Sequence, residues 1–143
     1  ALQQLISTYE KRLSYYINFE LQLLPDIKNS KSLSEEQQKI KEGELILSYV
    51  EPSHHFILLD ERGKEYTSIA FADELQKKMN TSIKQLTFVI GGPYGFSQAI
   101  YQRANSKLSL SKLTFSHQMI RLFFVEQLYR AFTILRNEPY HHQ

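Results

Sequence analysis

The sequence contains no cysteine. Disulfides, thiolate nucleophiles and cysteine-based metal centres are therefore excluded, and the chain suits a reducing compartment. A long apolar run is also missing: no stretch reaches the ~20 residues that a membrane-spanning helix needs. Nothing at the N-terminus has the form of a signal peptide. These absences predict a soluble, cytoplasmic protein with no membrane partner. Charge of one sign is nearly balanced by the other, with 17 Lys and Arg against 15 Asp and Glu and a net charge of +2. That balance permits a nucleic-acid partner without demanding one. There is no internal repeat, no low-complexity tract and no linker long enough to divide the chain, so 143 residues are read as one domain spanning 1–143.

Glycine is scarce as well, and its distribution is informative. Three of the five glycines, Gly91, Gly92 and Gly95, fall within five residues, directly behind the apolar run Phe88-Val89-Ile90. Such a run reads as a buried strand. Open α/β sheets place ligand sites where a strand empties into a loop of this kind, although a tight turn before a helix has the same composition.

What is present is apolar and aromatic: 42% hydrophobic residues, with nine Phe and nine Tyr, as in a globular protein. Leu2, Leu5, Ile6, Tyr9 and Leu13 recur at helical spacing and predict a helix over Leu2 to Leu13. Tyr16 to Leu24 alternates like a strand and stops at Pro25. Ser34, followed by Glu35, Glu36 and Gln37, has the form of a helix cap and predicts a helix from Glu35 to Tyr49, with Gly43 an oddity in its interior. Phe56 to Leu59 predicts a strand ended by a turn at Asp60-Glu61-Arg62-Gly63. Further helices are predicted over Ser68 to Met79, Ser97 to Asn105 and Ser116 to Arg136, with a strand at Leu86 to Ile90 and an alternating segment at Leu108 to Thr114. Strands alternating with helices imply a mostly parallel sheet covered by helices.

The glycine loop does not fit the phosphate-binding patterns. No lysine and hydroxyl pair completes a Walker sequence, and Gly-Gly-x-x-Gly is not the dinucleotide fingerprint. A nucleotide hydrolase is disfavoured for the same reason, and an uncharged group such as an adenine edge or a ribose suits the loop better. Leu108 to His117 packs hydroxyls, Lys112 and His117 beside an apolar spine; Ser116 also reads simply as a cap for the last helix, and His117 as a solvent-facing first residue. The last helix is apolar almost all round, which calls for burial on most faces and suggests a subunit interface as well as a core. Arg121, Arg130 and Arg136 interrupt it, as ion-pair partners of residues such as Glu126 or as groups facing an anion. The tail carries Tyr140, His141 and His142, too little for a metal site without converging carboxylates or thiolates.

Jointly, several segments resemble the RlmH family of ribosomal RNA large-subunit methyltransferases, small members of the SPOUT superfamily. They are Lys41-Glu42-Gly43-Glu44, Leu58-Leu59-Asp60 with Gly63-Lys64, Phe88 to Gly95, Leu108 to Arg121, Glu126 to Ala131 and Pro139-Tyr140-His141, in order along essentially the whole chain. The resemblance implies an α/β fold, a mostly parallel sheet flanked by helices, with a C-terminal deep trefoil knot, an exception to the rule against threaded chains. It also implies a homodimer and transfer of a methyl group from S-adenosylmethionine to N3 of a pseudouridine in 23S ribosomal RNA, on the large ribosomal subunit or the 70S ribosome. Family members open with a short strand, whereas this sequence starts in the helix that follows it, so the sheet is expected to lack its first strand. Some relatives carry Pro where Ser116 stands and Arg where His142 stands.

By that resemblance the cofactor pocket is built from Leu59, Gly91, Gly92, Leu110, Ser111, Lys112, Leu113, Thr114 and Phe115. Removal of the N3 proton asks for a base or for stabilisation of the developing anion, and the candidates are His117, Tyr140 and His141. Arg121 and Arg130 are candidate electrostatic or RNA-phosphate contacts, and the tail is expected to close over the pocket, from the same subunit or its partner. The alternative is a non-catalytic RNA- or ribosome-binding module of the same fold. The near-neutral charge favours a folded ribosomal surface over tight binding to free RNA.

Overall fold

A computed structural model describes residues 1–142. The elements follow as α1 (Leu2–Leu13), α2 (Glu35–Ser48), β1 (His55–Glu65), α3 (Ser68–Met79), β2 (Leu86–Ile90), α4 (Gln98–Arg103), β3 (Ser106–Ser109) and α5 (His117–Leu135). A single 3-10 turn at Ser30–Ser32 precedes α2. The chain forms two compact units, each drawn from separated segments.

The first unit takes residues 1–21, 65–82 and those from 113 onward. It is helical, with α1 and α3 both packed on α5. Phe124, Val125, Leu128, Ala131 and Phe132 line one face of α5 at helical spacing and are buried, together with Ile6 and Leu13 of α1 and Phe71, Ala72 and Leu75 of α3. Hydroxyl caps start the helices: Thr67 accepts from the Ala70 N–H and Ser116 from the Met119 N–H.

The second unit takes residues 22–64 and 83–112 and holds the sheet, in the order β2-β1-β3. β1 and β2 are parallel, in register from His55 opposite Leu86 to Leu59 opposite Ile90. β3 runs the same way, since Asn105 bonds Phe56 at its start and Leu108 reaches Gly63 further along. Phe56, Leu58, Ile46, Phe96 and Ile100 form the core here. Ser34 and Gln37 make a reciprocal capping box for α2.

Five expectations are corrected. Tyr16 to Leu24 forms no strand; Tyr16 instead packs on the rings of Tyr129 and Phe132. The turn-like residues 60–63 lie inside β1, where β3 as a ladder neighbour outweighs local composition. β2 is half-buried along its length rather than buried, because it is the edge of the sheet. The helix begun at Ser97 ends at Arg103, because Asn105 is drawn into bonds with both backbone groups of Phe56. Likewise only Leu108 and Ser109 of the alternating segment Leu108 to Thr114 lie in a strand, at the end of β3.

Gly43 is explained by close packing. A Cβ there would sit 2.5 Å from Ser97 Oγ and 3.2 Å from Ile100 Cγ1, and that same Oγ caps α4. Alanine gains about 1 kcal/mol in helix propensity over glycine, whereas overpacking costs about 1–3 kcal/mol. Gly43→Ala is therefore expected to lower the thermal midpoint; a raised midpoint would show that α4 yields at no cost.

Candidate functional site

The three strands deliver their carboxyl ends to one side of the sheet, and the expected cofactor residues of the second unit lie there. Leu59 ends the stretch of β1 paired with β2, Gly91 and Gly92 follow β2 directly, and Leu110 to Lys112 follow β3. Leu59, Gly91, Gly92, Leu110 and Ser111 are half-buried, and the Ser111 carbonyl accepts a hydrogen bond from Ser109 Oγ at 3.0 Å. Leu113, Thr114 and Phe115 belong to the helical unit. Leu113 is 71% exposed, and Phe115 meets Phe123 of α5 edge-on with ring centres 5.2 Å apart.

The glycine loop is shaped by its own neighbours. Gly95 has φ of +84°, which glycine adopts without strain, and its N–H donates to the Gly92 carbonyl at 3.3 Å. A Cβ at Gly92 would lie 2.5 and 2.8 Å from the two oxygens of Glu42. The acid of α2 thus stands against the loop where a phosphate cradle would need a lysine. A shallow cleft lies here, lined by Glu42, Gly43, Gly92, Gly95, Phe96 and Ser97.

Beside Leu59, Asp60 accepts a 2.5 Å hydrogen bond from the Tyr101 hydroxyl and another from the Arg62 N–H. Burial pulls its carboxyl upward, but these bonds and the charges of Arg62 and Lys107 outweigh burial and hold it below its ordinary range.

In the helical unit the expected catalytic residues form two groups. His117 is the first residue of α5, half-buried rather than solvent-facing, and Arg121 lies one turn on along the same face. Arg130, Tyr140 and His141 gather at the far end. Glu126 Oε1 accepts from Arg130 Nη2 at 2.6 Å, from Arg130 Nε at 3.1 Å and from the Tyr140 hydroxyl at 3.0 Å. Arg130 Nη1 is 3.0 Å from His141 Nδ1, and the hydroxyls of Tyr140 and Tyr9 are 3.2 Å apart. Burial, then the Tyr9 hydrogen bond and the Glu126 charge, push the Tyr140 phenol well above its ordinary range, so it serves as a neutral donor. His117 and Arg130 stand 13 residues apart on α5, roughly 20 Å at 1.5 Å per residue, while Arg121 and Arg130 are nine residues apart.

Sequence reading recognised Glu126 only as an ion-pair partner and did not find Tyr9 or Tyr16. The spacing of Glu126 and Arg130 is visible in the sequence, but the tyrosines are more than 100 residues from the groups they meet.

The tail is anchored where it leaves α5. The Tyr16 hydroxyl donates to both Glu138 oxygens at 2.9 Å, and burial, then Glu138, push its phenol up to about 12. A pKa raised above the unfolded value of about 10 stabilises the folded state fully below pH ~10, and that contribution is lost as pH rises through the folded value. Tyr16→Phe should therefore speed backbone hydrogen exchange at 138–142 at neutral pH while leaving α5 protected. Only the unsubstituted chain should then lose further tail protection between pH 10 and 12. Equal exchange in both chains at neutral pH would dismiss the anchor.

Comparison with known proteins gives the family. The sequence pattern of a family described as "Predicted SPOUT methyltransferase" matches residues 1–141. The chain is 66% identical over 143 residues to the Ribosomal RNA large subunit methyltransferase H of Flavobacterium johnsoniae, covering 100% of this chain and 91% of that protein. It is 62% identical over 138 residues to the protein of that name in Parabacteroides distasonis (96% and 88% covered). Over 142 residues it is 54% identical to the protein of that same name in Porphyromonas gingivalis (99% and 90% covered).

Proposed function

The chain belongs to the SPOUT methyltransferase family, and we propose that it methylates N3 of a pseudouridine in large-subunit ribosomal RNA, with S-adenosylmethionine as donor. The observation that carries this reading is identity of 54–66% to relatives named for ribosomal RNA methylation, over nearly all of the chain. The loops at the strand ends support it. Their half-buried Leu59 and Leu110 and the backbone of Gly91 and Gly92 suit an adenosine, and the acid at Gly92 suits a cationic ligand and opposes a phosphate. Leu59, Gly91, Gly92 and Leu110 to Phe115 would hold the cofactor, which supplies a methyl group on a positively charged sulfur that departs as a neutral thioether. No acid is then needed for the leaving group.

The protein's remaining task lies with the acceptor base. Its N3 proton must depart while negative charge spreads over the flanking carbonyl oxygens, so donors and cations aimed at those oxygens accelerate the reaction. His117 and Arg121 follow the cofactor segment Leu113 to Phe115 closely in the chain. Arg130, which meets His141, stands 13 residues from His117 on α5, roughly 20 Å along its axis. That separation favours a homodimer in which the tail of one subunit completes the site of the other. The half-buried Met119, Ile120, Leu122 and Phe123 of α5 offer apolar area for a second copy.

The same reading carries a single domain with a deep trefoil knot near its C-terminus, a first strand that precedes residue 1 in relatives, and a ribosomal particle as substrate in the cytoplasm. Among the described residues no helix is long and apolar enough to cross a membrane.

Calorimetry with S-adenosylmethionine should show binding, and mass spectrometry of ribosomal RNA from cells lacking the protein should show one missing base methyl. Absence of binding would favour the non-catalytic module. His117→Ala and His141→Ala should each abolish methylation of ribosomes. Mixing the two inactive variants should restore about a quarter of the activity, because half the dimers are mixed and each of those has one intact site. No recovery would place both groups in one subunit's site.

A further inference from the structure

Glu126 is the hub of the tail cluster. One of its oxygens holds Arg130 through two N–H groups and Tyr140 through its hydroxyl. The other accepts from Gln127 Nε2 at 3.0 Å, and Gln127 Oε1 accepts from Ser68 Oγ of α3 at 2.9 Å. The guanidinium also lies over the Tyr140 ring, 4.9 Å from its centre. A single carboxylate therefore fixes Tyr140 directly and turns Arg130 so that Nη1 meets the His141 ring.

That last contact has only one chemical sense. A guanidinium has five N–H donors, no acceptor, and stays charged in proteins. The bond from Nη1 to Nδ1 at 3.0 Å therefore requires a lone pair on Nδ1. A proton on Nδ1 would set N–H against N–H, and a ring protonated on both nitrogens would also set cation against cation. The neutral ring then carries its proton on Nε2.

We propose that Glu126 is a positioning residue that, through Arg130, locks His141 as the tautomer protonated on Nε2, so that His141 meets its substrate as a hydrogen-bond donor rather than as the base. Resting on the methyltransferase reading, this assigns the Nε2–H to a carbonyl oxygen of the acceptor imide. Charge accumulates there as N3 loses its proton to water. Tyr140, already a donor to Glu126, belongs to the same support and does not act as a base.

The test combines histidine nitrogen spectroscopy with kinetics on the full chain. With 15N-labelled histidine at pH 8, and His141→Gln to assign the signal, His141 should show one population with Nδ1 bare and Nε2 protonated. Glu126→Gln, checked by circular dichroism to melt as a folded protein, should give averaged tautomers. Its kcat should fall by at least about tenfold, towards the 10²–10⁴ range typical of a lost acid–base or electrostatic group. Its S-adenosylmethionine affinity should stay within about twofold, since the affected residues lie outside the cofactor loops. Arg130→Lys should reproduce the spectroscopic change, because a point-charge ammonium lacks the fork. A proton on Nδ1 in the unsubstituted chain, or a Glu126→Gln variant with unchanged tautomer and kcat, overturns the proposal. A chain with the expected tautomer that methylates no ribosomal RNA would instead overturn the methyltransferase reading and leave the positioning role standing.

Discussion

Covering α5 is the constraint on which the helical unit depends. Its 19 residues are mostly apolar, and an exposed helix of that kind would lose more in unburied surface than its hydrogen bonds return. The chain supplies α1 from its beginning and α3 from its middle to cover it. Partners so distant in sequence make the unit discontinuous, and the second unit is completed by what lies between. The chain consequently changes unit four times, re-entering the helical unit just before α3 and again just before α5. The last change, at residues 112–113, falls within the sequence segment expected to hold the cofactor.

Glu126 sits in this apolar helix because its charge is fully used. Hydrogen bonds to a charged group contribute about 1.5–3 kcal/mol each, and a partly buried carboxylate without donors would cost several. Three donors on one oxygen and one on the other satisfy the carboxylate and shape the groups around it. The same half-buried surroundings that make the cluster costly to leave unsatisfied also give its donors a fixed direction, as stabilisation of a developing anion requires.

Much of the fold was legible in local chemistry. Leu2 to Leu13 and Ser68 to Met79 were readable from apolar spacing, and Ser34 and Ser116 from the hydroxyls that cap the following helices. Failures came where a distant segment overruled local composition. Tyr16 alternates with its neighbours like a strand residue but is claimed by the aromatic rings of α5, and Asp60 to Gly63 looks like a turn but is held straight beside β3. The candidate site divides the same way. Its residues are candidates because their order along the chain resembles a known family, whereas the role proposed for Glu126 rests on distances that no pattern records.

By itself the sequence determined where the main helices and the paired parts of β1 and β2 lie, which helix faces are apolar, and that the glycine loop lacks the lysine of a phosphate site. Those properties arise from neighbours within a few residues, where spacing and capping act. Only the tertiary structure decided that the Glu42 acid lies against Gly92, that Tyr9 and Tyr16 hold the tail, and that Arg130 meets His141 through Nδ1. Each of these is a hydrogen bond or close approach whose direction depends on how the folded elements are packed. A tautomer is a property of such a contact, not of the histidine alone.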